Sequence, residues 1–331
     1  MKLRIIICVS LIVVVLAMAN LFVGHAQQAT GESAQPAGNG APPLSNPLKV
    51  ALLKWYNGNA VPTLFPVSGT PVGVAFDGAN IWVASSSLTK FRASDGAVLG
   101  TFATGGDGVT FDGANMWVSS GGNVEAIVTK VRASDGKVLG TFKLPGLVPW
   151  WMAFDGANIW IPSSNPSGNG WVTKLRASDG KTLGSFTVGN SPAAVAFDGA
   201  NVWVTNLGSN NVMKLRASDG AVVGTFAVGG QPIGICFDGA SMWVANNGDD
   251  TVSKLRASDG TVLGTFPGGN SAYGLAFDGR NIWVSGVFLV ELRASDGSQV
   301  TYFQAASGTG VAFDGANIWA AGVNTANVGK Y

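Results

Sequence analysis

Residues 74–83 read VAFDGANIWV, and recognisable copies of this stretch recur through the rest of the chain. Its Phe-Asp-Gly core returns six more times, and a tryptophan follows each of the seven phenylalanines by six residues. These tryptophans are Trp82, Trp117, Trp160, Trp203, Trp243, Trp283 and Trp319. Successive copies lie 35 to 43 residues apart, a period that is typical of solenoids, propellers and other repeat architectures.

Each repeat divides into four short segments with strand character, which we label a to d. Segment a is residues 73–76, and the Asp-Gly pair that follows it favours a tight turn into segment b, residues 80–83. Segment c is clearest at residues 212–216, and a second Asp-Gly turn leads from it into segment d at residues 222–226. Four antiparallel strands in about 40 residues are the unit of a β-propeller blade.

Counting the segments predicts how the ring closes. Segments a and b occur seven times, and the phenylalanine of segment d also occurs seven times, from Phe65 to Phe303. The turn from c to d occurs only six times, because the last segment c ends at Tyr331. We therefore predict an all-β fold over residues 62–331: a seven-bladed β-propeller with four antiparallel strands per blade. The N-terminal segment d would complete the blade of the last segments a–c, which leaves no exposed sheet edge.

The first 61 residues have a different composition. Residues 1–26 combine two early basic residues, an apolar run over 5–23 and a small-residue site at Ala26, which predicts a cleaved signal peptide. An uncleaved membrane anchor is the alternative, since 19 mostly apolar residues just span a bilayer. Residues 27–46 read as a flexible linker, and 47–61 as a short helix with a lead-in. Both alternatives predict an exported protein, periplasmic or extracellular, that touches a membrane only through an uncleaved N-terminal segment.

Charge and reactive side chains exclude several functions. The net charge of +1 provides no basic field for nucleic acid, so we expect no nucleic-acid partner. We also expect a monomer. The only histidine, His25, would leave with the signal peptide. Cys236 would then be the one remaining cysteine, so no internal disulfide is possible. It stands where most other repeats have alanine, which favours a small buried hydrophobic side chain over a nucleophile.

The repeats GVAFDGANIWV, TKLRASDG and GTFAVG resemble those of exported bacterial propellers of the YVTN/NHL-like group, including the virginiamycin B lyase-like proteins. The resemblance covers about residues 62–331 and implies the propeller fold. The streptogramin lyases of that group are metal-assisted enzymes that rely on a catalytic histidine, and the predicted mature chain has no histidine to match it. The resemblance therefore implies the fold but not the lyase activity, and we lean away from an enzyme.

Side chains that repeat in every blade are expected to be structural. The seven tryptophans and the phenylalanines of segments a and d should pack between blades. The aspartate of each Asp-Gly pair should accept backbone N–H bonds in its turn. The Lys-x-Arg pairs of segment c, such as Lys214 and Arg216, alternate with apolar residues, which predicts a solvated face paired with carboxylates of neighbouring turns.

Function is expected where the copies differ. In a four-stranded meander the a–b and c–d turns share one face of the disc, and the variable b–c and d–a loops share the other. This asymmetry predicts one binding face around the mouth of the central channel. The candidate ligand-binding residues there are Asp107, Trp150, Trp151, Trp171 and Tyr273. Adjacent indoles at 150 and 151 suit sugar or aromatic ligands, although they could instead fill a gap beside the loop at 162–170.

We therefore predict a binding scaffold for a protein, peptide or glycan, without a cofactor. The alternative is a metal-dependent lyase or lactonase-like enzyme at the channel mouth, in which carboxylates hold Ca²⁺ or Mg²⁺. Its candidate ligands are Asp107, Glu125, Asp249 and Asp250. Hard-cation coordination would require at least three such oxygens to converge on one point.

Overall fold

A computed structural model describes residues 62–121, 125–146, 150–303, 308–322 and 325–331. Its first fourteen strands are β1 (Thr63–Pro66), β2 (Gly73–Phe76), β3 (Asn80–Ala84), β4 (Leu88–Arg92), β5 (Val98–Phe102), β6 (Gly108–Phe111), β7 (Asn115–Gly121), β8 (Glu125–Arg132), β9 (Val138–Pro145), β10 (Ala153–Phe154), β11 (Asn158–Ser164), β12 (Gly170–Arg176), β13 (Thr182–Val188) and β14 (Pro192–Phe197). The remaining fourteen are β15 (Asn201–Asn206), β16 (Asn211–Arg216), β17 (Val222–Ala227), β18 (Pro232–Phe237), β19 (Ser241–Asn246), β20 (Thr251–Arg256), β21 (Val262–Pro267), β22 (Leu275–Phe277), β23 (Asn281–Val284), β24 (Leu289–Arg293), β25 (Gln299–Phe303), β26 (Gly308–Phe313), β27 (Ile318–Gly322) and β28 (Asn327–Lys330). A 3-10 helix, Leu207–Ser209, joins β15 to β16.

These strands form seven four-stranded antiparallel sheets, which confirms the predicted seven-bladed β-propeller. Blades 1 to 6 each use four consecutive strands, starting with β2, β6, β10, β14, β18 and β22. Blade 7 has the order β26, β27, β28, β1, so it joins the last three strands to the first. The first strand of each blade is the innermost, and blade 7 contacts blade 1 through β26 and β2.

The three N-terminal segments predicted from the sequence, 1–26, 27–46 and 47–61, lie outside the described residues. Within the part of the chain that the structure describes, no helix is long and apolar enough to cross a membrane.

Each a–b turn is built around its aspartate. In blade 1, Asp77 Oδ1 accepts the backbone N–H groups of Ala79 and Asn80, as the sequence predicts. Asp77 Oδ2 accepts the indole N–H of Trp82 at 2.7 Å, a contact that the turn composition did not predict. The same indole bond occurs in all seven blades, at 2.7 to 2.8 Å. The turn therefore fixes the orientation of the largest side chain in each blade.

The tryptophans and phenylalanines pack between blades, as predicted. Trp82 stacks on Phe102 of its own blade, with ring centroids 5.6 Å apart. Both rings then pack against blade 2, where they meet Val109 and Met116. Phe102 also covers Gly136 in the c–d turn of blade 2, where a β-carbon would collide with the phenylalanine ring. Six of the seven repeat tryptophans are completely buried in such interfaces: Trp82, Trp117, Trp160, Trp203, Trp243 and Trp319.

The lysines of segment c do not form the predicted solvated face. Lys214 is 4% exposed, and its ammonium lies 5.1 Å from the centre of the Trp203 ring. Its Nζ donates to the carbonyl oxygens of Ala257 and Ser258, which belong to the c–d turn of the next blade. Six blades share this arrangement, through Lys90, Lys130, Lys174, Lys214, Lys254 and Lys330. The prediction was wrong because the acceptor is backbone of a neighbouring blade, which no side-chain pattern reveals.

The arginines follow the prediction more closely. Arg216 is exposed and pairs with Asp219 at 2.8 Å, so a turn carboxylate is its partner. That carboxylate belongs to the turn of its own blade rather than to a neighbouring strand. The lysine and the arginine, two residues apart on one strand, therefore have different roles. The lysine bonds its blade to the next blade, and the arginine forms an ion pair with the c–d turn of its own blade.

Because of this difference, Arg216 is a matched control for measuring how much Lys214 contributes to stability. Replacing Lys214 with methionine keeps much of the apolar stem but leaves two turn carbonyls without their cationic donor. Hydrogen bonds to charged groups contribute about 1.5–3 kcal/mol, so we expect a loss of that size in the free energy of unfolding. Arg216→Met removes an exposed ion pair and should cost less than about 1 kcal/mol. Urea unfolding of both variants measures the difference, and equal losses would contradict the role assigned to the lysine.

The turn aspartates also predict acid sensitivity. Burial raises the pKa of Asp198, but hydrogen bonds from the Trp203 indole and from Ala200 and Asn201 outweigh it and hold the pKa below its ordinary value. A carboxyl whose pKa is depressed by folding stabilises the fold above its unfolded pKa, and that contribution disappears as the pH falls through the folded value. We therefore expect the stability gap between wild type and Asp198→Asn to be full at pH 7 and to narrow below about pH 4. Urea unfolding across this range provides the measurement, and a gap independent of pH would contradict the assignment.

Candidate functional site

The two faces of the propeller differ in their backbone contacts and in how much their connections vary between blades. On the turn face, which carries the a–b and c–d turns, the same contacts repeat from blade to blade; for example, Ala93 N–H donates to Ala79 O, and Ala133 N–H donates to Ala114 O. On the loop face, which carries the b–c and d–a loops, the connections differ in length and content. The turn face is occupied by structural contacts, so variation that a ligand could recognise is concentrated on the loop face.

An apolar cavity of about 140 Å³ lies on the axis of the ring. The residues that line it come from the innermost strand, or from the two residues before it, in six of the seven blades. They include Val74, Met152, Val195, Ile235, Leu275 and Val311, together with Trp151. Ligand pockets for drug-sized molecules span about 300–1,000 Å³, so this cavity has room for one small apolar group only.

Glycine usually begins the innermost segment because the backbone of the next blade lies against it. A β-carbon at Gly108 would collide with the carbonyl oxygen of Trp150, and one at Gly274 would collide with that of Thr309. Trp151 stands at this position in blade 3. There the two blades are joined by a parallel β-bridge instead, in which Trp151 N–H donates to Ala193 O and Val195 N–H donates to Trp151 O. The indole of Trp151 therefore narrows the channel without a clash.

Serine and threonine hydroxyls support the carbonyls at the mouth of the channel. Ser119 Oγ donates to Trp150 O, Thr205 Oγ1 to Ile233 O, and Ser285 Oγ to Thr309 O, each across a blade boundary. At the boundary of blades 3 and 4, Trp151 N–H takes the corresponding carbonyl, Ala193 O. Pro162 stands in blade 3 where the other three blades have these hydroxyl side chains, so blade 3 has no hydroxyl at this position. Sequence reasoning missed this set of hydroxyls, although serine or threonine two residues after the repeat tryptophan was a visible signal.

Of the predicted aromatic residues, Trp151 lines the axial cavity. Trp150 and Trp151 contact each other edge to face, with ring centroids 6.2 Å apart, and both are half-buried. Tyr273 is also half-buried and lies two residues before the innermost strand of blade 6, three blades away from the indoles.

Asp107 brings an acid to the same mouth. It precedes β6 in blade 2, beside Trp150 of blade 3, and its backbone N–H donates to Ser119 O at 2.7 Å. Burial raises the pKa of the Asp107 carboxyl, and a hydrogen bond from the Gly121 N–H opposes that effect. Gly121 N–H is the one hydrogen-bond donor to this carboxylate among the described residues, so in its partly desolvated position it would accept further hydrogen bonds from a ligand.

Trp171 and Glu125 lie on third strands and are not among the residues that line the axial cavity. Trp171 lies on β12, the third strand from the axis, and its ring packs against Gly146. Glu125 begins β8, also the third strand of its blade, and pairs with Lys143 of β9 at 2.9 Å. Glu125 is therefore already paired with a cation of its own blade.

Asp249 and Asp250 bind backbone rather than an ion. A carboxylate oxygen of Asp249 accepts the N–H of Gly230, and Asp250 Oδ1 accepts the N–H of Ser271 at 2.6 Å. Each therefore ties the b–c loop of blade 5 to a neighbouring d–a loop. Among the described residues, no group of three or more His, Cys, Asp or Glu side chains is placed to hold a metal ion.

The remaining thiol is not placed for catalysis. Cys236 lies on β18 in the interface between blades 5 and 6, and it packs with the cluster around Trp243. Burial raises the pKa of its thiol well above the ordinary value, and the charge of Asp238 adds to this effect. A thiol held protonated in an apolar interface is a packing group, as the sequence predicts.

No protein-family model matches the chain, and no curated protein matches its sequence. The class of the protein is therefore defined by its structure: it is a seven-bladed β-propeller built from internal repeats. The resemblance to virginiamycin B lyase-like propellers stays a prediction.

The placement of the acids predicts the response to metal ions. A site filled at 100 times its dissociation constant would stabilise the fold by about 2.7 kcal/mol and raise the melting temperature by several degrees. Because Glu125, Asp249 and Asp250 already have partners, we expect the same melting temperature in EDTA and in millimolar Ca²⁺ or Mg²⁺. Differential scanning calorimetry makes the comparison. A rise of several degrees that Asp107→Asn abolishes would contradict this expectation and revive the metal-dependent alternative.

Proposed function

We propose that this protein is an exported binding scaffold that recognises a protein, peptide or glycan partner through the loop face around the channel mouth. The observation that carries the proposal is the pairing of Trp150 and Trp151 at the mouth, because Trp151 replaces a residue that is glycine or alanine in the other blades. Its accommodation requires a separate backbone arrangement, the bridge to Ala194.

The chemistry of the mouth favours a ligand with apolar faces and hydrogen-bond donors. Half-buried indole and phenol rings offer large contact area at low cost in conformational entropy, which is why tryptophan and tyrosine dominate binding hot spots. Asp107 adds an acceptor beside them, and the channel beneath admits one small apolar group. Sugars that stack on indoles and peptides with an exposed apolar side chain both meet this description.

No described contact favours the enzyme alternative. A metal-dependent lyase or lactonase would need converging oxygen ligands, and three of the four candidate acids are engaged elsewhere. Binding also requires no histidine, which accords with a propeller whose sequence has none. Export to the periplasm or cell exterior belongs to the same proposal on the basis of the N-terminal sequence, and so does a monomeric state.

A binding screen with matched variants tests the proposal. The purified protein is applied to an array of immobilised random 15-residue peptides and to a glycan array, and each bound probe is then titrated in solution. Aromatic hot-spot residues contribute about 2 kcal/mol or more, so Trp150→Ala with Tyr273→Ala should weaken binding by at least about 30-fold. Both substitutions are at the mouth and should leave the blade interfaces intact.

Tyr302→Ala is the control, because Tyr302 is 55% exposed and lies on β25, the outermost strand of blade 6. It should bind every probe as wild type does. Melting temperatures of all three proteins show whether the fold is kept. The proposal is wrong if the folded double variant binds the same probes with unchanged affinity, or if wild type binds no probe on either array.

A further inference from the structure

The two faces of the propeller also differ in charge. Between residues 62 and 331, five charged side chains belong to the loop-face connections or to the strand ends beside them. They are one base and four acids: Lys143, Asp107, Glu125, Asp249 and Asp250. The other charged residues of this range lie toward the turn face, in the a–b and c–d turns or near them, where bases and acids are almost equal in number. The internal segments outside the described residues contain no charged residue, so the loop face is negative.

Asp107 is joined to the indole pair through Ser119. The backbone N–H of Asp107 donates to Ser119 O at 2.7 Å, and Ser119 Oγ donates to Trp150 O at 3.2 Å. Trp150 contacts Trp151 edge to face, and Trp151 lines the axial cavity. The acidic residue, the two indoles and the apolar cavity are therefore consecutive neighbours across blades 2 and 3.

The carboxylate of Asp107 has no cationic partner among the described residues. No ion pair within 4.0 Å in this part of the chain includes Asp107, Asp249 or Asp250. Asp107 is half-buried, and burial raises the pKa of its carboxyl, which the N–H of Gly121 opposes. Burying a charge without a partner is unfavourable, so a cationic group of a ligand would be stabilised at this position.

The indoles beside this carboxylate suit the same kind of ligand group. Elsewhere in the propeller, six lysine ammonium groups lie 4.9 to 5.4 Å from the centre of a tryptophan ring. No described lysine or arginine lies over Trp150 or Trp151 in this way, and both rings are half-buried. Tryptophan is the aromatic side chain that attracts ammonium and guanidinium groups most strongly. A guanidinium can also stack on an aromatic ring and bind a carboxylate through two hydrogen bonds.

We propose that the partner at the channel mouth is a basic peptide segment, in which an arginine or lysine pairs with Asp107 beside the Trp150 indole. A small aliphatic side chain next to that residue enters the axial cavity, which has room for one such group. This inference rests on the proposed function and selects a peptide over a neutral glycan, because a neutral sugar supplies no charge to the negative face. The other loop-face acids add attraction during encounter, which salt screens.

Peptides with their charges removed test the inference. The purified protein is screened on the array of random 15-residue peptides. Each peptide that it binds is synthesised again with citrulline for arginine and acetyl-lysine for lysine, which removes the charge and nearly keeps the length. We expect arginine and lysine to be enriched among the bound peptides. The neutral forms should bind at least about tenfold more weakly, the lower end of the coupling found for close charge pairs across interfaces.

A matched pair of variants locates the charge that the peptide recognises. Asp107→Asn should weaken binding of the charged peptides by about tenfold and leave the affinity for the neutral forms unchanged. Asp219→Asn makes the same substitution on the turn face, where Asp219 pairs with Arg216, and should bind every peptide as wild type does. Raising the salt concentration from about 0.05 M to about 0.5 M should weaken the charged peptides more in wild type than in Asp107→Asn. Melting temperatures show whether both variants keep the fold.

The outcomes distinguish this inference from the proposed function. Equal affinity for charged and neutral peptides, or full affinity of folded Asp107→Asn for the charged ones, would overturn the basic partner. The scaffold would still be supported in that case if Trp150→Ala with Tyr273→Ala abolishes binding. Binding to glycans alone would overturn the inference and leave the scaffold intact, and failure to bind any probe would overturn both.

Discussion

The fold depends on one contact that crosses six of the seven blade boundaries. A lysine ammonium lies over the ring of its own tryptophan, 4.9 to 5.4 Å from the centroid, and donates to turn carbonyls of the next blade. The aspartate of the a–b turn fixes that tryptophan through its indole N–H. The turn aspartate, the tryptophan ring and the lysine therefore act as one unit. The a–b turn of a blade is bonded to the tryptophan of the same blade, and its c–d turn is bonded to the lysine of the preceding blade. A chain with few charged residues can hold the blades together in this way, because these lysine ammonium groups lie within blade interfaces, where a hydrogen bond contributes more to stability than it does in water.

This use of the turns divides the molecule between its two faces. The turn face is occupied by contacts that every blade must make, so a change there affects the ring. The loop face has no such requirement, and side chains that break the repeat gather there, including Trp150, Trp151 and Asp107. The blade 6–7 junction is the exception, because blade 7 takes its strand d, β1, from the other end of the fold, so no turn joins its strands c and d. Glu291 stands there at the strand position that a lysine occupies in the other blades.

Much of the fold could be predicted from the sequence because its signals are local. Asp-Gly turns, alternation over four residues and a regular period gave the strands, the blade number and the burial of Trp203 and Phe226. The role of Lys214 could not be predicted, since its acceptor is a backbone carbonyl 43 residues away. At the candidate site, the sequence shows Trp151 at a position where most other blades have glycine. It does not show the parallel β-bridge that accommodates this tryptophan. The sequence left Glu125 available as a metal ligand, but the β8–β9 hairpin places Lys143 beside it. Asp249 and Asp250 were available in the same sense, but neighbouring loops supply backbone N–H donors to their carboxylates.

Hydrogen exchange of the tryptophan indole N–H groups, followed by NMR, tests the central claim most directly. Six indoles are fully buried and bonded to turn carboxylates, so opening them requires separation of adjacent blades. The account predicts that these six exchange slowly and at similar rates, close to the rate of global unfolding, while Trp150 exchanges quickly. Fast exchange of the six in the folded protein, at rates like that of Trp150, would contradict the claim that the tryptophan, its aspartate and its lysine hold the ring closed.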